Sequence, residues 1–175
     1  YEMDGGLEPS VMKTFYKVRK LMYQSYEEKC NPYRHPMKYR AVVWSCPAHY
    51  YANFSNWLAN AWGMGVLVEM ESLNFTKQLE DEAINDLCRL YERMVMRKHT
   101  NGGYVHVLDE LWKVCEQFNA NFIIMYQHVC CKTMAGLQGL FDDQARELGI
   151  HLIWVEHDLM DPRTVSRKDM RGRVN

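Results

Sequence analysis

Long hydrophobic runs and an excess of either charge are both missing from this 175-residue chain. Its longest uncharged apolar windows, such as those at 41–44 and 123–126, are far too short to cross a bilayer. The net charge of −1 provides no electrostatic basis for binding nucleic acid or an anionic membrane. We therefore expect neither partner, and the apolar fraction of 47% predicts one ordinary globular domain.

Signature motifs of nucleotide, zinc and serine-hydrolase chemistry are absent as well, since the chain contains no CxxC, GxGxxG, P-loop, HExxH or GxSxG. It nevertheless contains six cysteines. No basic segment followed by an apolar stretch opens the chain, so we expect a cytoplasmic, reducing location and free thiols. The chain starts at Tyr1 without a methionine and stops at Asn175 inside a polar stretch, from which we expect a piece of a longer polypeptide.

Short apolar runs alternate with segments of helical periodicity along most of the chain. The pattern predicts strands at 39–46, 65–70, 122–126 and 151–155, and helices at 10–30, 50–61, 75–98, 104–118 and 133–148. Strands that alternate with helices form parallel sheets, so the predicted fold class is α/β, a Rossmann-like open parallel sheet of about four strands with helices on both faces. Pro32 and Pro36 separate an N-terminal helix and linker, residues 1–38, from a Rossmann-like domain, residues 39–175.

Two adjacent cysteines, Cys130 and Cys131, lie between the third predicted strand and the helix that follows it. Ligands of open parallel sheets usually bind outside the carboxyl ends of the strands, where this turn falls. Free backbone N–H groups at the helix start, together with Lys132, favour the thiolate that binds metal or attacks carbon. The alternative is a pair of small residues in a tight turn. One thiolate cannot hold an iron–sulfur cluster, so further ligands would come from outside this chain.

The loop after the first predicted strand contains Ser45, Cys46, Pro47, His49 and Tyr50. His49 and Tyr50 can donate hydrogen bonds to a ligand at the sheet edge. Alternatively, Ser45 or His49 caps the next helix. Cys46 is a further candidate cluster ligand, although Pro47 explains the turn equally well.

The loop after the fourth predicted strand contains Glu156, His157 and Asp158, followed by Asp161-Pro162-Arg163. Arg163 can pair with a phosphate or a carboxylate. The alternative is a turn in which Asp158 acts as a side-chain cap. Four other histidines are isolated in the sequence, and we interpret them as surface or ordinary hydrogen-bonded residues: His99, His106, His128 and His151.

The turn Cys131-Lys132, the helix after it and the polar tip from Glu156 to Arg163 resemble the C-terminal domain of the (R)-2-hydroxyacyl-CoA dehydratases. That family includes the 2-hydroxyglutaryl-CoA dehydratase D-component and the ATP-dependent benzoyl-CoA reductase. Its members typically show a Ser-Cys-Lys-like turn and a strand that runs into a tip ending in Asp-Pro-Arg. The resemblance covers most of residues 38–175, including the opening strand and the Arg-x-Arg at Arg171 and Arg173. This chain departs from the pattern with two cysteines in the turn and with His151 in place of the usual proline.

The resemblance implies a subunit in which two Rossmann-like domains hold one [4Fe-4S] cluster between them, each subunit contributing three cysteines. The third ligand is matched here by Cys131, with Cys130 as the alternative, and the first two belong to an N-terminal domain outside this chain. The implied partners are that domain, a second dehydratase subunit, an ATP-dependent activator protein that injects one electron, and an acyl-CoA substrate. The implied reaction belongs to anaerobic metabolism: it eliminates water from a 2-hydroxyacyl-CoA through a ketyl radical to give the enoyl-CoA.

On this interpretation seven residues line the substrate side of the site or the domain interface, and the piece alone is inactive because its ligand set is incomplete. A benzoyl-CoA-reductase-type subunit is the nearest enzymatic alternative, and a non-catalytic Rossmann-like partner or assembly domain is the alternative from another class. The seven predicted residues are Ser45, Pro47, His49, Tyr50, Glu156, Asp158 and Arg163.

Overall fold

The computed structural model describes residues 9–30, 36–70 and 103–175. The predicted helix at 75–98, with Cys88, and the isolated His99 lie outside these residues. In the described part of the chain, no helix is long and apolar enough to cross a membrane. The elements, in chain order, are α1 (Pro9–Glu28), β1 (Tyr39–Trp44), a short 3-10 helix (His49–Tyr51), α2 (Phe54–Trp62), β2 (Met64–Glu69), α3 (Tyr104–Gln117), β3 (Phe122–His128), α4 (Lys132–Leu148), β4 (His151–His157) and α5 (Arg167–Gly172).

The four strands form one parallel sheet in the order β2-β1-β3-β4. The two central strands, β1 and β3, are almost continuous apolar runs, because a parallel strand in the middle of a sheet is buried on both faces. Val42, Ile123 and Ile124 are fully buried. The predicted α/β class and the open parallel sheet of about four strands are therefore confirmed.

Side chains that alternate along the strands build a separate core on each face of the sheet. On one face, Val42 and Met125 pack with residues of α3 and α4. On the other face, Val43 and Tyr126 pack with residues of α2 and with Met170 of α5. Helices thus cover both faces, as the prediction required.

The order of the strands places a switch point between β1 and β3. From β1 the chain passes through α2 to β2 on one side, and it later returns to form β3 on the other side of β1. The loops that leave the carboxyl ends of β1 and β3 therefore diverge in opposite directions, which opens the crevice where such sheets bind ligands.

Helix α4, which begins at this crevice, is held against the sheet by aromatic packing. Phe141 is fully buried between Trp112 of α3 and Trp154 of β4, with ring centroids 6.4 Å and 5.9 Å away. The indole N–H of Trp154 donates to Asp142 at 2.7 Å. The helix ends at Gly149, whose φ of 68° is the left-handed conformation that terminates helices.

The observed element ends differ from the predicted ones at the carboxyl edge of the sheet. Strand β1 stops at Trp44, two residues earlier than predicted, because Ser45 adopts a left-handed φ of 72°. Strands β3 and β4 each continue two residues further than predicted, since His128 pairs with His157 in the ladder. The helix predicted at 50–61 is split into a 3-10 turn and α2. The extended strands bring both histidines to the crevice.

Replacing Phe141 by alanine should reduce the free energy of unfolding by about 3–5 kcal/mol, because it leaves a cavity between two tryptophans. Urea unfolding followed by tryptophan fluorescence measures the loss. Leu140→Ala is the matched control, since Leu140 precedes Phe141 on the same helix but is 42% exposed, and its loss should stay within about 0.5 kcal/mol. Equal losses in the two variants would show that α4 does not pack as described.

Candidate functional site

A cavity of about 250 Å³ lies at the switch point. Its wall is assembled from the loop after β1, the first turns of α3 and α4, and the carboxyl ends of β3 and β4. The cavity is therefore where the topology of the sheet predicts a ligand. The described residues that line it are Ser45, Cys46, Val107, His128, Cys131, Thr133, Met134, Leu137, His157 and Leu159.

Ser45 turns the chain sharply at the end of β1. Its φ of 72° is uncommon for a residue other than glycine, and such backbone strain concentrates at functional sites. The preceding Trp44 is buried in the core, whereas Ser45 and Cys46 line the cavity. At this turn the chain therefore passes, within two residues, from a buried core strand to the wall of the cavity.

The turn that carries the two cysteines is held by His128. The backbone N–H of Cys131 donates to the carbonyl oxygen of His128 at 2.8 Å, and the backbone N–H of Cys130 donates to His128 Nδ1 at 3.1 Å. Cys131 is the N-cap residue of α4 and is half-buried at the cavity, while Cys130 is exposed. One histidine therefore fixes the turn through both its main chain and its imidazole.

His157 is the most deeply buried polar side chain of the cavity, with 1% of its surface exposed. Burial lowers the pKa of His157, so the ring is neutral at neutral pH. Its Nδ1 lies 2.9 Å from the carbonyl oxygen of Asp158, which makes Nδ1 the protonated nitrogen. The ring stands edge-on to that of His128, with centroids 5.9 Å apart.

Asp158 organises the loop after β4. Its Oδ1 accepts the backbone N–H groups of Asp161 and Met160 at 2.8 Å and 2.9 Å, and these bonds hold the pKa of Asp158 below its ordinary value. Its Oδ2 lies 3.8 Å from Nε2 of His128. Asp158 therefore connects this loop to the histidine that holds the cysteine turn.

Arg163 points back to its own loop. Its guanidinium donates to both oxygens of the Asp161 carboxylate, from Nη2 to Oδ2 at 2.6 Å and from Nε to Oδ1 at 2.9 Å and Oδ2 at 3.1 Å, which lowers the pKa of Asp161. The Asp161-Pro162-Arg163 tip thus closes on itself, in agreement with the turn that the sequence offered as the alternative.

The remaining predicted residues are not part of the described cavity wall. His49 is exposed, and its backbone N–H donates to Leu159 at 2.9 Å. The Tyr50 hydroxyl donates to the carbonyl oxygen of Val165 at 2.6 Å. Glu156 pairs with Arg173, and Pro47 is half-buried in the loop between β1 and the 3-10 helix. Among the seven substrate-side predictions, Ser45 alone lies on the described wall, where it joins the predicted ligand Cys131.

The sequence reasoning missed His128 and the apolar wall, whereas it placed His157 in the polar loop after the fourth strand without giving it a role. His128 was interpreted as an isolated residue, and the third strand was predicted to stop two residues before it. Each of these histidines ends an apolar run at the carboxyl edge of a parallel sheet, and that position is the signal by which they could have been found. The apolar lining residues of α3 and α4 carry no such signal, since their spacing is that of ordinary core residues.

The described cavity offers one half-buried thiol at a helix start, a second thiol on Cys46, two imidazoles and an apolar side. Within residues 9–30, 36–70 and 103–175, no three His, Cys, Asp or Glu side chains are grouped closely enough to hold a metal ion. Cys115 is different, because burial in α3 raises the pKa of its thiol to about 12 and makes it inert.

An open parallel sheet with a cavity at its switch point defines a Rossmann-like α/β domain. The 2-hydroxyglutaryl-CoA dehydratase D-component family matches residues 10–175, and the chain belongs to that family. The resemblance carried by the cysteine turn and the Asp-Pro-Arg tip is thereby confirmed. Membership makes the chain part of a dehydratase subunit, an enzyme component that works with other dehydratase components. A search of curated proteins finds no match to the chain.

Substituting Asp158 by asparagine should make the fold less sensitive to acid. Because the folded-state pKa of Asp158 is lowered, its carboxylate stabilises the fold above about pH 4, and this contribution is lost as the pH falls through the folded pKa. Asparagine keeps the acceptor oxygen but does not titrate. The difference in unfolding free energy between wild type and variant, measured in urea at a series of pH values, should therefore shrink on acidification. A difference that is independent of pH would contradict this.

Replacing His128 by alanine should speed alkylation of Cys131 by iodoacetamide about fivefold, which is the effect of losing one hydrogen bond of ~1 kcal/mol. His128→Asn should restore the slow rate, because the asparagine oxygen can accept the Cys130 N–H in place of Nδ1. Mass spectrometry of the labelled peptides measures both rates, with buried Cys115 as the internal unreactive thiol. His106→Ala, at an exposed histidine of α3, is the control. Equal rates in the alanine and asparagine variants would refute the role of the hydrogen bond.

Proposed function

We propose that the chain forms one wall of the active site of an iron–sulfur, radical-type (R)-2-hydroxyacyl-CoA dehydratase subunit, which eliminates water from a 2-hydroxyacyl-CoA to give the enoyl-CoA. The observation that carries this proposal is the position of Cys131, the residue that matches the family's ligand turn, on the wall of the switch-point cavity. Family membership indicates the class of reaction, and the cavity is a site in which the substrate and the cluster ligand can lie side by side.

The geometry favours Cys131 over Cys130 as the cluster ligand. Cys131 is half-buried and lines the cavity, whereas Cys130 is exposed and is absent from the described wall. The first turn of α4 carries backbone N–H groups without intrahelical partners, and no side chain caps them in the described structure. Cys131 is thus the cysteine of the pair that lies at the helix N-terminus, with Lys132 as the next residue.

The donor set fits a cluster that this chain shares. Thiolates are the usual ligands of iron–sulfur clusters, and a [4Fe-4S] cluster takes about four, mostly cysteines. The described residues offer no group of three donors, so the other cysteines would come from an N-terminal domain of the same subunit. When bound, the cluster supplies one-electron transfer to the thioester. Around it, this chain would orient Cys131 through His128 and keep water away with the apolar side of the cavity.

The proposal includes partners beyond this chain. A second dehydratase subunit, an ATP-dependent activator protein and an acyl-CoA substrate complete the enzyme, and a cytoplasmic, anaerobic setting keeps its thiols and cluster reduced. The piece described here would be inactive alone, because it provides a minority of the ligands. Residues 1–38 would form a helix and linker, and residues 39–175 the Rossmann-like domain of the subunit.

Replacing Cys131 by serine in the full-length subunit, reconstituted anaerobically with iron and sulfide, should remove most of the bound iron and the broad cluster absorption. Cys130→Ser is the matched control, since it makes the same change one residue away, and it should leave both unchanged. Iron assay and visible absorption measure the outcome. Loss in Cys130→Ser alone would move the ligand to Cys130, and loss in neither variant would support a non-catalytic assembly domain.

The assembled enzyme should convert (R)-2-hydroxyacyl-CoA thioesters to enoyl-CoA when the activator and ATP are present. Product analysis by mass spectrometry distinguishes this reaction from ring reduction, for which benzoyl-CoA is the probe. Reduction of benzoyl-CoA without dehydration would assign the chain to the benzoyl-CoA-reductase type instead.

A further inference from the structure

Two exposed arginines of α5, Arg167 and Arg171, are hydrogen-bonded to neutral groups. Nη2 of Arg167 donates to the backbone carbonyl oxygen of Tyr50 at 2.8 Å, and Nε of Arg171 donates to the hydroxyl oxygen of Tyr51 at 2.5 Å. A carbonyl and a hydroxyl orient a guanidinium without neutralising its charge, and each contact uses one of the several N–H donors that the group carries. Both side chains are thus oriented by the protein and keep their charge for a ligand.

The same two guanidinium groups lie against aromatic rings. Cζ of Arg167 and Cζ of Arg171 are 5.3 Å and 5.5 Å from the ring centroid of Tyr51, and Cζ of Arg171 is also 5.1 Å from that of Trp57. The core holds the Tyr51 ring in place, because only 5% of this residue is exposed. The attraction between a cation and an aromatic face offsets the repulsion between like charges four residues apart on a helix. Two positive charges are therefore held around one ring, with exposed Lys168 between them in sequence.

The neighbouring charged groups of this segment have partners of opposite charge or bonds of their own. Arg163 donates to the Asp161 carboxylate, and Arg173 pairs with Glu156. The carboxylate of Asp169 accepts the hydroxyl and the backbone N–H of the serine that caps α5. The positive charge of the segment is consequently concentrated on the part of α5 that rests on the tyrosine ring.

This part of α5 adjoins the switch-point cavity through the loop after β4. Leu159 of that loop lines the cavity, and its carbonyl oxygen accepts the backbone N–H of His49 at 2.9 Å. Further along the same loop, the carbonyl oxygen of Val165 accepts the hydroxyl of Tyr50 at 2.6 Å. These hydrogen bonds join the loops after β1 and β4, which both contribute to the cavity wall, and the joined loops lead to the surface that carries Arg167.

The size of the cavity limits which part of a CoA thioester it can receive. Its volume of about 250 Å³ is below the roughly 300–1,000 Å³ of pockets that enclose a drug-sized ligand. Coenzyme A is larger than such a ligand, so its nucleotide part has to lie outside the cavity. That part carries a diphosphate and a 3′-phosphate, and arginine is the side chain whose paired N–H donors match a phosphate group best.

We propose that Arg167 and Arg171 bind phosphate groups of the nucleotide part of coenzyme A, where the thioester leaves the switch-point cavity along the loop after β4. The proposal rests on the proposed function, because that reaction supplies the CoA thioester. It assigns to α5 a role in binding the substrate that is separate from the reacting atoms. The rings of Tyr51 and Trp57 serve this site by holding the two guanidinium groups in place before the phosphate arrives.

The first test compares the affinities of coenzyme A and 4′-phosphopantetheine for the full-length subunit by calorimetry. The second compound lacks the nucleotide, so the ratio of the two dissociation constants measures what the nucleotide contributes. We expect coenzyme A to bind at least about 100-fold more tightly, since each of two charge-assisted contacts contributes about tenfold. Added salt should weaken the binding of coenzyme A more than that of 4′-phosphopantetheine, because the phosphate contacts lie on an exposed surface.

Arg167→Gln and Arg171→Gln should each weaken the binding of coenzyme A about tenfold and leave that of 4′-phosphopantetheine unchanged. Arg167→Lys should restore part of the loss, because it keeps the charge without the paired N–H donors. Arg146→Gln is the matched control: Arg146 is an exposed arginine of α4 that pairs with Asp143, and its replacement should change neither affinity. Urea unfolding of each variant checks that it is folded, and the salt dependence of the wild-type subunit tests the proposal without any substitution.

Kinetics of the assembled enzyme with its activator distinguish a binding role from a structural one. Both glutamine variants should raise KM for the 2-hydroxyacyl-CoA about tenfold and leave kcat unchanged, because the phosphates are remote from the reacting atoms and the contact is the same in ground state and transition state. A loss of kcat with unchanged KM would show that the arginines act on the structure of the site, and would overturn the proposal.

The outcomes also separate this proposal from the proposed function. Similar affinities for coenzyme A and 4′-phosphopantetheine, or a preference that all the arginine variants leave intact, show that α5 does not bind the nucleotide, while turnover of the thioester keeps the dehydratase function in place. Binding of ATP that is lost in the glutamine variants, with binding of coenzyme A unchanged, would assign the site to another nucleotide and overturn the proposal. Neither turnover nor binding of any CoA compound would overturn the proposed function, and this proposal with it.

Discussion

The parallel pairing of β1 with β3 is the constraint on which the rest of the structure depends. Ala41 to Trp44 lie beside Phe122 to Met125, and this central pair is buried on both faces. Because β2 takes the other side of β1, the loops that leave the two strands must separate, and the cavity is the space between them. The position of the site therefore follows from hydrophobic burial in the sheet, before any polar residue is considered.

Two histidine–loop contacts transmit that geometry to the cysteine turn. The ladder pairs His128 with His157 as the last residues of β3 and β4, so both imidazoles reach the cavity at the same level. His128 then accepts the Cys130 N–H, and its Nε2 faces Asp158. The cysteine turn and the Asp158 loop are consequently positioned by one side chain. A substitution in either loop should therefore alter the energetic effect of a substitution in the other, because energetic coupling is strongest between groups in direct contact.

Sequence reasoning recovered the fold class, the four strands and the helix behind the cysteine turn, because burial leaves a periodic apolar pattern that a reader can count. It also led to the expectation of ligand-binding residues at the carboxyl edge of the sheet, and it named Ser45, Cys46 and Cys131 of the described cavity wall but not its apolar residues. Polar residues that continue a strand through backbone hydrogen bonds, such as His128 and His157, leave no apolar signal. The left-handed turn at Ser45 and the closure of Arg163 onto Asp161 are likewise local conformational choices, and the first is one that serine seldom adopts. Those choices decide which side chains face the cavity.

The closure of the Asp161-Pro162-Arg163 tip shows that residues that carry a family resemblance need not be residues that face the cavity. The tip is part of the resemblance to the family, yet in the described structure its arginine binds Asp161 of the loop that follows β4. What a cavity recognises depends on the charges and surfaces that remain after such internal pairing. Here Arg163, Arg171 and Arg173 have partners within the protein, and hydrocarbon side chains of α3 and α4 line the described cavity. The surface of the described cavity therefore depends on side chains of α3 and α4 as well as on the residues that carry the family resemblance.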